Sequence, residues 1–171
     1  MTRYTVVPER SRIWIDARSS LHPIHVEASG LQGFLDADVD AGGRLDLATG
    51  CSGRLEVPVD ALRSGIALVD RETARRLASR RYPLIVAQLE RLEATAQGGW
   101  YGAAGSITLR DRTRRYAGRL QIIAEPAGTL LVTGAHPFDV RDLDLQPPRL
   151  LMLSMQPVVA VRVEIRAAAV G

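Results

Sequence analysis

Apolar and polar positions alternate with a period of two through most of this chain. In residues 12–17, Ile13, Ile15 and Ala17 share one parity, and residues 54–60 and 159–165 repeat the pattern. Because successive side chains of a strand point to opposite faces, this period predicts strands with one apolar face. Further strands are predicted near residues 84–94, 100–110, 115–124, 129–138 and 150–166, with glycine-rich turns between several of them.

A change of phase at Gly30 indicates how these strands are arranged. Val26 and Ala28 occupy even positions, whereas Leu31 and Leu35 occupy odd ones. One extra residue in a strand moves every following side chain to the other face, so we expect a bulge at Gly30 that bends the strand. Bent strands with short turns are typical of a closed sheet. We therefore predict one all-β domain over residues 1–171, an eight-stranded antiparallel barrel.

One segment, residues 68–85, breaks the alternation. Its apolar positions have helical spacing and consist of Val69, Thr73 and Leu77. Asp70 is predicted as the N-cap, and Pro83 disfavours helix in the residue before it. The pattern predicts one short helix over about residues 69–79. Because so short a helix is marginal alone, we expect its apolar face to close or flank one barrel end, with most of its arginines in water.

Composition and charge narrow the function classes. All 22 basic residues are Arg, and 19 acidic residues are scattered among them, so the net charge of +3 does not lead us to expect a nucleic-acid partner. No apolar run reaches the roughly 18 residues of a membrane span. The first residues show no apolar signal region, and we expect a cytoplasmic location. The single cysteine excludes an internal disulfide.

The three histidines raise the question of a metal site. His22 and His25 lie three residues apart, which puts them on opposite faces of a strand, and the proline between them prevents a helix. His136 with Asp139 or Asp142 could complete a site, although nothing in the spacing requires it. We expect surface or rim histidines, no metal and no cofactor. No residue is assigned a catalytic role, because no nucleophile elbow or phosphate loop occurs.

Three further polar features have simple structural interpretations. Asp36, Asp38 and Asp40 are expected to be solvated on an outward strand face. The basic hairpin at residues 110–115 is expected to form exposed ion pairs, which contribute little. Presentation of these arginines, or those of the helix, to an acidic partner is an alternative function. Cys51 is expected to be a buried or half-buried thiol and not a nucleophile.

Many of the inward positions are small. They are Ala17, Ala28, Gly33, Ala37, Ala87, Ala103, Gly105, Gly118 and Ala124. An eight-stranded barrel is either filled by side chains or holds one small ligand, and small side chains leave room. The alternative is that larger aliphatic side chains fill the middle. The residues predicted to line an apolar binding space are Ile13, Ile15, Ala17, Val26, Leu31, Leu35, Leu55, Val57, Ile107, Leu109, Leu120, Val161 and Val163.

Four stretches of the chain stand out together: YTVVPERSRIWIDAR at the start, SGLQGFLDADVD, DRETARRLASRRYPLIVAQL and GAAGSITLRDRTRRYAGRL. In this order they resemble the YceI-like family of lipid- or polyisoprenoid-binding, lipocalin-like barrels. The third resembles the family's single helix, which runs into Tyr-Pro and a strand. The fourth resembles its Gly-x-Leu-Thr-Ile-Arg-Gly-Val-Thr-Arg hairpin. With the closing VVAVRVEIRA, the similarity covers nearly all of the chain.

The resemblance implies a lipocalin-like barrel with an elongated apolar cavity for an isoprenoid or fatty-acyl chain, and members are not generally regarded as enzymes. This sequence departs from the pattern at Ile15 and Ala87, where the family has inward aromatic residues. We expect non-enzymatic binding, carriage or sequestration of a hydrophobic small molecule, with a homodimer left open. The competing hypothesis is a metal-assisted hydrolase or isomerase that uses the rim histidines.

Overall fold

The computed structural model describes residues 1–147, 149–150 and 153–171, and strands dominate it. The strands are β1 (Thr2–Val6), β2 (Arg12–Arg18), β3 (Pro23–Ala28), β4 (Gln32–Val39), β5 (Leu45–Asp46), β6 (Ser52–Pro58), β7 (Leu84–Ala94), β8 (Trp100–Leu109), β9 (Arg112–Glu125), β10 (Thr129–Asp139), β11 (Arg149–Leu150), β12 (Leu153–Ser154) and β13 (Val158–Ala169). The α-helix of the described chain, α1, spans Ala67–Arg76. Short 3-10 turns occupy Pro8–Arg10, Leu47–Thr49, Val59–Ala61 and Val140–Leu143.

Eight strands close into an antiparallel barrel, which confirms the predicted fold class. Around the ring the order is β1, β4, β6, β7, β8, β9, β10 and β13, and β13 pairs with β1 to close it. β2 and β3 form a hairpin that is attached to β13. At the free edge of this hairpin, the backbones of Glu27 and Arg63 exchange two hydrogen bonds of 2.9 Å. These bonds tie the hairpin to the segment that follows β6.

β13 changes partner along one edge. Its C-terminal residues pair with β1, whereas its N-terminal half pairs with β2. The fully buried Ser11 lies at this change. Its hydroxyl donates to the carbonyl oxygen of Val7 at 2.9 Å and accepts from the backbone N–H of Arg166 at 3.1 Å. Because buried backbone groups need partners, the hydroxyl takes the place of ladder bonds that are interrupted there.

The expected bulge at Gly30 is wrong, although the change of phase is confirmed. β3 ends at Ala28 and β4 begins at Gln32, and the two strands have different partners. Gly30 has a φ of 69°, in the left-handed region that favours glycine. The chain therefore turns here and leaves one ladder for another. Ala28 and Leu31, on either side of the turn, both face the core.

α1 begins and ends slightly before the predicted bounds, and the predicted N-cap at Asp70 is wrong. The N-cap is Ile66, which offers no side-chain hydrogen bond. Asp70 lies within the helix, where its carboxylate accepts from the backbone N–H and the hydroxyl of Ser64 at 2.8 and 2.6 Å. The carboxylate thus orders the loop before the helix and does not cap its first turn.

The apolar face of α1 docks at one end of the barrel, as predicted. Leu77 joins the core cluster at the strand ends, and Val69 packs against Ala17 and Ile24 of the β2–β3 hairpin. The arginines that follow on this segment are mostly exposed, as at Arg75 and at residues 80–81. The helix therefore contributes apolar side chains to the barrel end and turns its charge to water.

Two core clusters occupy the two ends of the barrel. The helix-end cluster contains Val6, Ile13, Ala28, Leu31, Val57, Val59, Leu62, Leu77, Leu109, Leu143 and Ile165. The far-end cluster contains Tyr4, Leu35, Ala37, Leu45, Leu92, Tyr101, Ile122, Leu130 and Ala167. Val132 packs against both, so the clusters adjoin along β10.

Candidate functional site

Several apolar side chains on the inner face of the barrel keep part of their surface accessible. On β8, Leu109 is buried, whereas Ile107, which lies between the two clusters, is half-buried. On β13, Ile165 is buried, whereas Val161 and Val163 on the same face are half-buried and pack against the helix-end cluster. The inner face therefore has accessible apolar surface in the middle of the barrel and beside its helix end.

The predicted lining residues divide into a buried and a half-buried set. Buried in the clusters are Ile13, Leu31, Val57 and Leu109 at the helix end, Leu35 at the far end, and Ala17 beside the β2–β3 hairpin. Half-buried are Ile107, the residues packed against the helix-end cluster (Ile15, Val26, Leu55, Val161 and Val163), and Leu120, which packs against the far-end cluster. The parity of the strands places these residues on apolar faces. Contact with a ligand remains a prediction for each of them.

Three rings on the inner face of β9 and β10 form a cluster that sequence reasoning missed. The ring centroid of Phe138 lies 4.9 Å from that of Tyr116 and 4.8 Å from that of His136, both edge-to-face. Nδ1 of His136 lies over Gly118, where an added Cβ would come within 3.1 Å of it. His136 is therefore an interior residue and not the rim residue expected. Its even parity with Val132 on β10 was the available signal.

β9 and β10 part beside this three-ring cluster. Their ladder ends at the pair Gln121–Thr133, although both strands continue beyond it. In the described chain, side chains join the two strands from there on: Leu120 packs against Gly134, where an added Cβ would lie 2.7 Å from its Cδ2, and the rings meet further along. At this split, the described contacts between the strands are those of these side chains and the close approach of the Arg119 carbonyl oxygen to Gly134.

The hydroxyl of Tyr116 is buried without a hydrogen-bond partner among the described residues. Burial raises the pKa of this phenol, and the nearby carboxylates of Asp142 and Asp139 raise it further, against a lowering by Arg114. The phenol therefore stays neutral. A buried polar group without a partner costs roughly 1–3 kcal/mol, so this hydroxyl and the imidazole beside it stand out in an apolar wall.

The structure separates the histidines that the metal hypothesis would combine. His136 lies in register with Val161 and Val26 on the inner face, whereas His25 faces outward, with Nδ1 2.5 Å from the carboxylate of Asp16. Within the described ranges, no group of three or more His, Cys, Asp or Glu side chains could hold a metal ion. The alternative that combines His25 with His136 is therefore not formed, because β3 turns His25 outward whereas β10 turns His136 inward.

The turn Val140–Leu143 closes the helix end together with α1. Leu143 is buried in the helix-end cluster. Arginines of the β8–β9 hairpin hold the turn: Arg110 and Arg114 donate to the carbonyl oxygens of Asp144 and Asp142, both at 2.8 Å, and Arg112 lies 3.0 Å from the Asp144 carboxylate. The interpretation of this hairpin as exposed ion pairs alone is therefore incomplete, since its arginines also hold the turn that covers the helix end of the barrel.

The remaining polar features have local partners. Asp36 pairs with Arg3 at 2.7 Å, and this guanidinium lowers the pKa of the carboxyl. Asp38 accepts from the backbone N–H of Thr2 at 3.0 Å. Cys51 is half-buried, and burial raises the pKa of its thiol to about 11, with a smaller contribution from Asp36. Its thiolate is therefore scarce at neutral pH, which agrees with a structural role.

Two grooves lie outside the barrel. One, of about 590 Å³, crosses β1, β4 and β6 beside Arg3, Phe34 and Arg54. The other, of about 570 Å³, lies between α1 and the turn Val59–Ala61. Both mix charged and apolar side chains, unlike the inner face. Among the described residues, none of the helical segments has the length and apolar character to cross a membrane.

Comparison with solved structures relates this architecture to known proteins. BcnA from Burkholderia cenocepacia has a TM-score of 0.77 at 13% identity, over 95% of this chain and 99% of that one. A polyisoprenoid-binding domain from Saccharophagus degradans has a TM-score of 0.76 at 11% identity, over 98% of each chain. The YceI protein of Campylobacter jejuni has a TM-score of 0.62 at 9% identity, over 81% of each. The chain has the YceI-like fold. No family model and no curated protein matches its sequence.

Within the YceI-like fold, this chain has small or aliphatic residues at two inward positions where aromatic residues were expected. Ile15 and Ala87 are both half-buried. Ala87 lies in register between Leu55 on β6 and Ile107 on β8, so the smallest side chain of this row faces the accessible middle. The aromatic residues of the middle come instead from β9 and β10.

Proposed function

We propose that the protein binds a hydrophobic chain of isoprenoid or fatty-acyl type in the middle of the barrel, and carries or sequesters it without chemical change. The observation that carries the proposal is the accessible apolar surface that inner-face residues keep in the middle of the barrel and beside its helix end. Water contact with such surface is unfavourable, and an apolar ligand would remove it. Similarity in fold to a domain described as polyisoprenoid-binding supports this class of ligand.

Chain length should set the affinity. Each buried CH₂ contributes about 0.8 kcal/mol, or roughly a fourfold change in Kd. In this proposal the half-buried residues such as Leu55, Ile107 and Val161 form the walls, and buried ones such as Leu31 and Leu35 form the ends. Affinity should therefore rise with chain length and level off once the chain reaches the packed clusters.

Organic extraction and native mass spectrometry test the proposal. The purified protein should release a hydrophobic molecule, or the ligand-free protein should gain melting temperature with added chains of about C16 to C40, because a ligand that binds the folded state stabilises it. The proposal fails if no lipid co-purifies and no added chain raises the melting temperature.

A matched pair of substitutions locates the binding space. Ala87→Phe fills the accessible middle, whereas Ala117→Phe adds the same ring on the exposed outer face of β9. The first should weaken chain binding by about tenfold or more, because it occupies the volume that the ligand needs. The second should leave binding unchanged. Melting temperatures without ligand check that both variants fold, and equal affinities would place the chain outside the barrel.

A further inference from the structure

Beside the helix-end cluster, the inner wall of the described chain carries polar side-chain atoms that lack hydrogen-bond partners. The residues in register with His136 across the sheet are apolar: Val161 on β13, Ile15 on β2 and Val26 on β3. Among the described residues, the polar atoms at this level are the imidazole nitrogens and the buried hydroxyl of Tyr116. A mostly apolar pocket with a few polar groups is the usual arrangement that fixes a ligand's orientation.

The imidazole of His136 is placed to meet a ligand. In the described chain its contacts are the rings of Tyr116 and Phe138 and the face of Gly118, and neither nitrogen makes a hydrogen bond. The residue is half-buried, so part of its surface stays accessible. Because polar atoms in apolar surroundings are costly without partners, a hydrogen-bonding group on a ligand would be favoured here.

The charges around the three-ring cluster disfavour an anionic group. Each nearby guanidinium already has an acceptor: Arg110 and Arg114 donate to carbonyl oxygens, Arg112 lies 3.0 Å from the Asp144 carboxylate, and Arg141 lies 2.6 Å from the Asp139 carboxylate. Among the described residues, Nε of Arg110 is buried without a partner. The carboxylates of Asp139 and Asp142 lie close enough to Tyr116 to raise its pKa. An anion would face these carboxylates, whereas an uncharged group would not be repelled.

We propose, on the basis of the function proposed above, that His136 contacts the polar end of the bound chain and that this end is an uncharged hydrogen-bonding group such as a hydroxyl. The polar end then lies beside the split between β9 and β10. The chain runs from there along Leu120 and Val132 toward the far end. The ligand class is therefore a long-chain alcohol, in preference to a long-chain phosphate.

Three probes with one chain test this inference: 1-hexadecanol, 1-chlorohexadecane and hexadecyl phosphate, in displacement of a fluorescent lipid probe. The alcohol should bind about fivefold tighter than the chloride, as one net hydrogen bond gives, and tighter than the phosphate. Equal binding of alcohol and chloride, or tighter binding of the phosphate, would overturn the inference while leaving the proposed function intact. Failure of all three to bind would instead contradict the proposed function.

Variants assign the effect to one residue. His136→Phe keeps a ring of similar size and should abolish the preference for alcohol over chloride while retaining chloride binding. His25→Phe, on the outer face of β3, should keep the preference. Persistence of the preference in His136→Phe would overturn the inference.

Nitrogen-15 NMR of labelled histidine gives a readout that does not require a variant to fold. The chain has three histidines, so three imidazoles are observed. The hydroxyl of 1-hexadecanol should shift the ring nitrogens of one imidazole, that of His136, relative to the complex with 1-chlorohexadecane. A shift at His22 or His25, or at none of the three, would contradict the inference.

Discussion

The two ends of the barrel are closed in different ways. At the far end the plug consists of residues within the hydrogen-bonded strands, such as Leu130, and Tyr101, whose hydroxyl accepts from the backbone N–H of Leu45 at 3.2 Å. At the helix end, part of the plug comes from segments inserted between strands: Leu77 from the end of α1 and Leu143 from the turn Val140–Leu143. One end is part of the sheet, and the other is covered by additions to it.

The attachments of these additions are individually weak. Besides the bonds from Arg110 and Arg114, Arg76 donates to the carbonyl oxygen of Gln146 at 3.4 Å. Exposed polar contacts of this kind contribute roughly 0–1 kcal/mol each. The turn is also held by the bond from the backbone N–H of Val140 to the carbonyl oxygen of Pro157 at 3.0 Å and by the buried Leu143. Its detachment would break these contacts but no strand ladder, as in the local opening of low-stability segments. Under the proposed function, we therefore expect ligand access at the helix end and not at the far end.

The largest expected difference is in stability. Leu130→Ala removes a side chain that is 1% exposed within the sheet, and we expect a loss of about 3–4 kcal/mol in the free energy of unfolding. Leu143→Ala should cost about 1–2 kcal/mol, because a weakly attached turn can relax into the space left. Urea denaturation measures both values. Equal losses would show that the helix-end plug is as integral to the fold as the far end.

A second difference should appear in ligand exchange. Arg114→Ala removes the bond to the carbonyl oxygen of Asp142, and release of a bound fluorescent lipid should become several-fold faster, with less than about 1 kcal/mol lost in stability. Arg115→Ala is the control, since Arg115 is its exposed neighbour on the other face and pairs with Glu90. Stopped-flow displacement gives the rates. Unchanged release in Arg114→Ala would place access elsewhere, at the split between β9 and β10.

The wall of the barrel was predictable because strand period is a local property. β7, Leu84–Ala94, has the predicted bounds, and Ile13 and Ala17 are buried as their parity requires. The turn Val140–Leu143 was not predicted, since a 3-10 turn leaves no period in the sequence. Its attachment depends on arginines 34 and 28 residues away from the carbonyl groups they meet. Such contacts follow from the closure of the sheet and not from any local pattern.

The candidate site shows the same limit. The shared even parity of His136 and Val132 indicated an interior position. We nevertheless expected a rim position, because no residue nearby in the sequence indicated a contact for the imidazole. The neighbours of this imidazole on β9 are Tyr116 and Gly118. The pairing of β9 with β8 sets their positions, and the absence of a side chain at Gly118 leaves space for the imidazole. The error at Asp70 has a related cause, since its carboxylate meets Ser64, which precedes the helix.

A smaller effect is expected in acid, at the attachment of α1. Glu72 accepts hydrogen bonds from Arg75 at 2.5 Å and Arg76 at 2.8 Å, and these lower its pKa from 4.5 to about 2. A carboxyl with a depressed pKa contributes stability above its unfolded value, and this is lost as the pH falls through the folded value. The stability difference between wild type and Glu72→Gln should therefore shrink between about pH 4.5 and pH 2. A constant difference in urea titrations over this range would contradict the assignment.

The smallest difference is expected in the reactivity of the Cys51 thiol at the far end. Detachment of the turn at the helix end should not change it. Cys51 packs against the far-end cluster, and its thiol has a pKa of about 11 instead of 9.0. Labelling by a thiol reagent at about pH 8 should be roughly 100-fold slower than for a free thiol, and should rise through about pH 9–11 as the thiolate forms. Arg114→Ala should leave this rate unchanged, whereas Leu130→Ala, within the same cluster, should increase it. If Arg114→Ala also increases it, the two ends open together, and the far end is not the fixed part of the barrel.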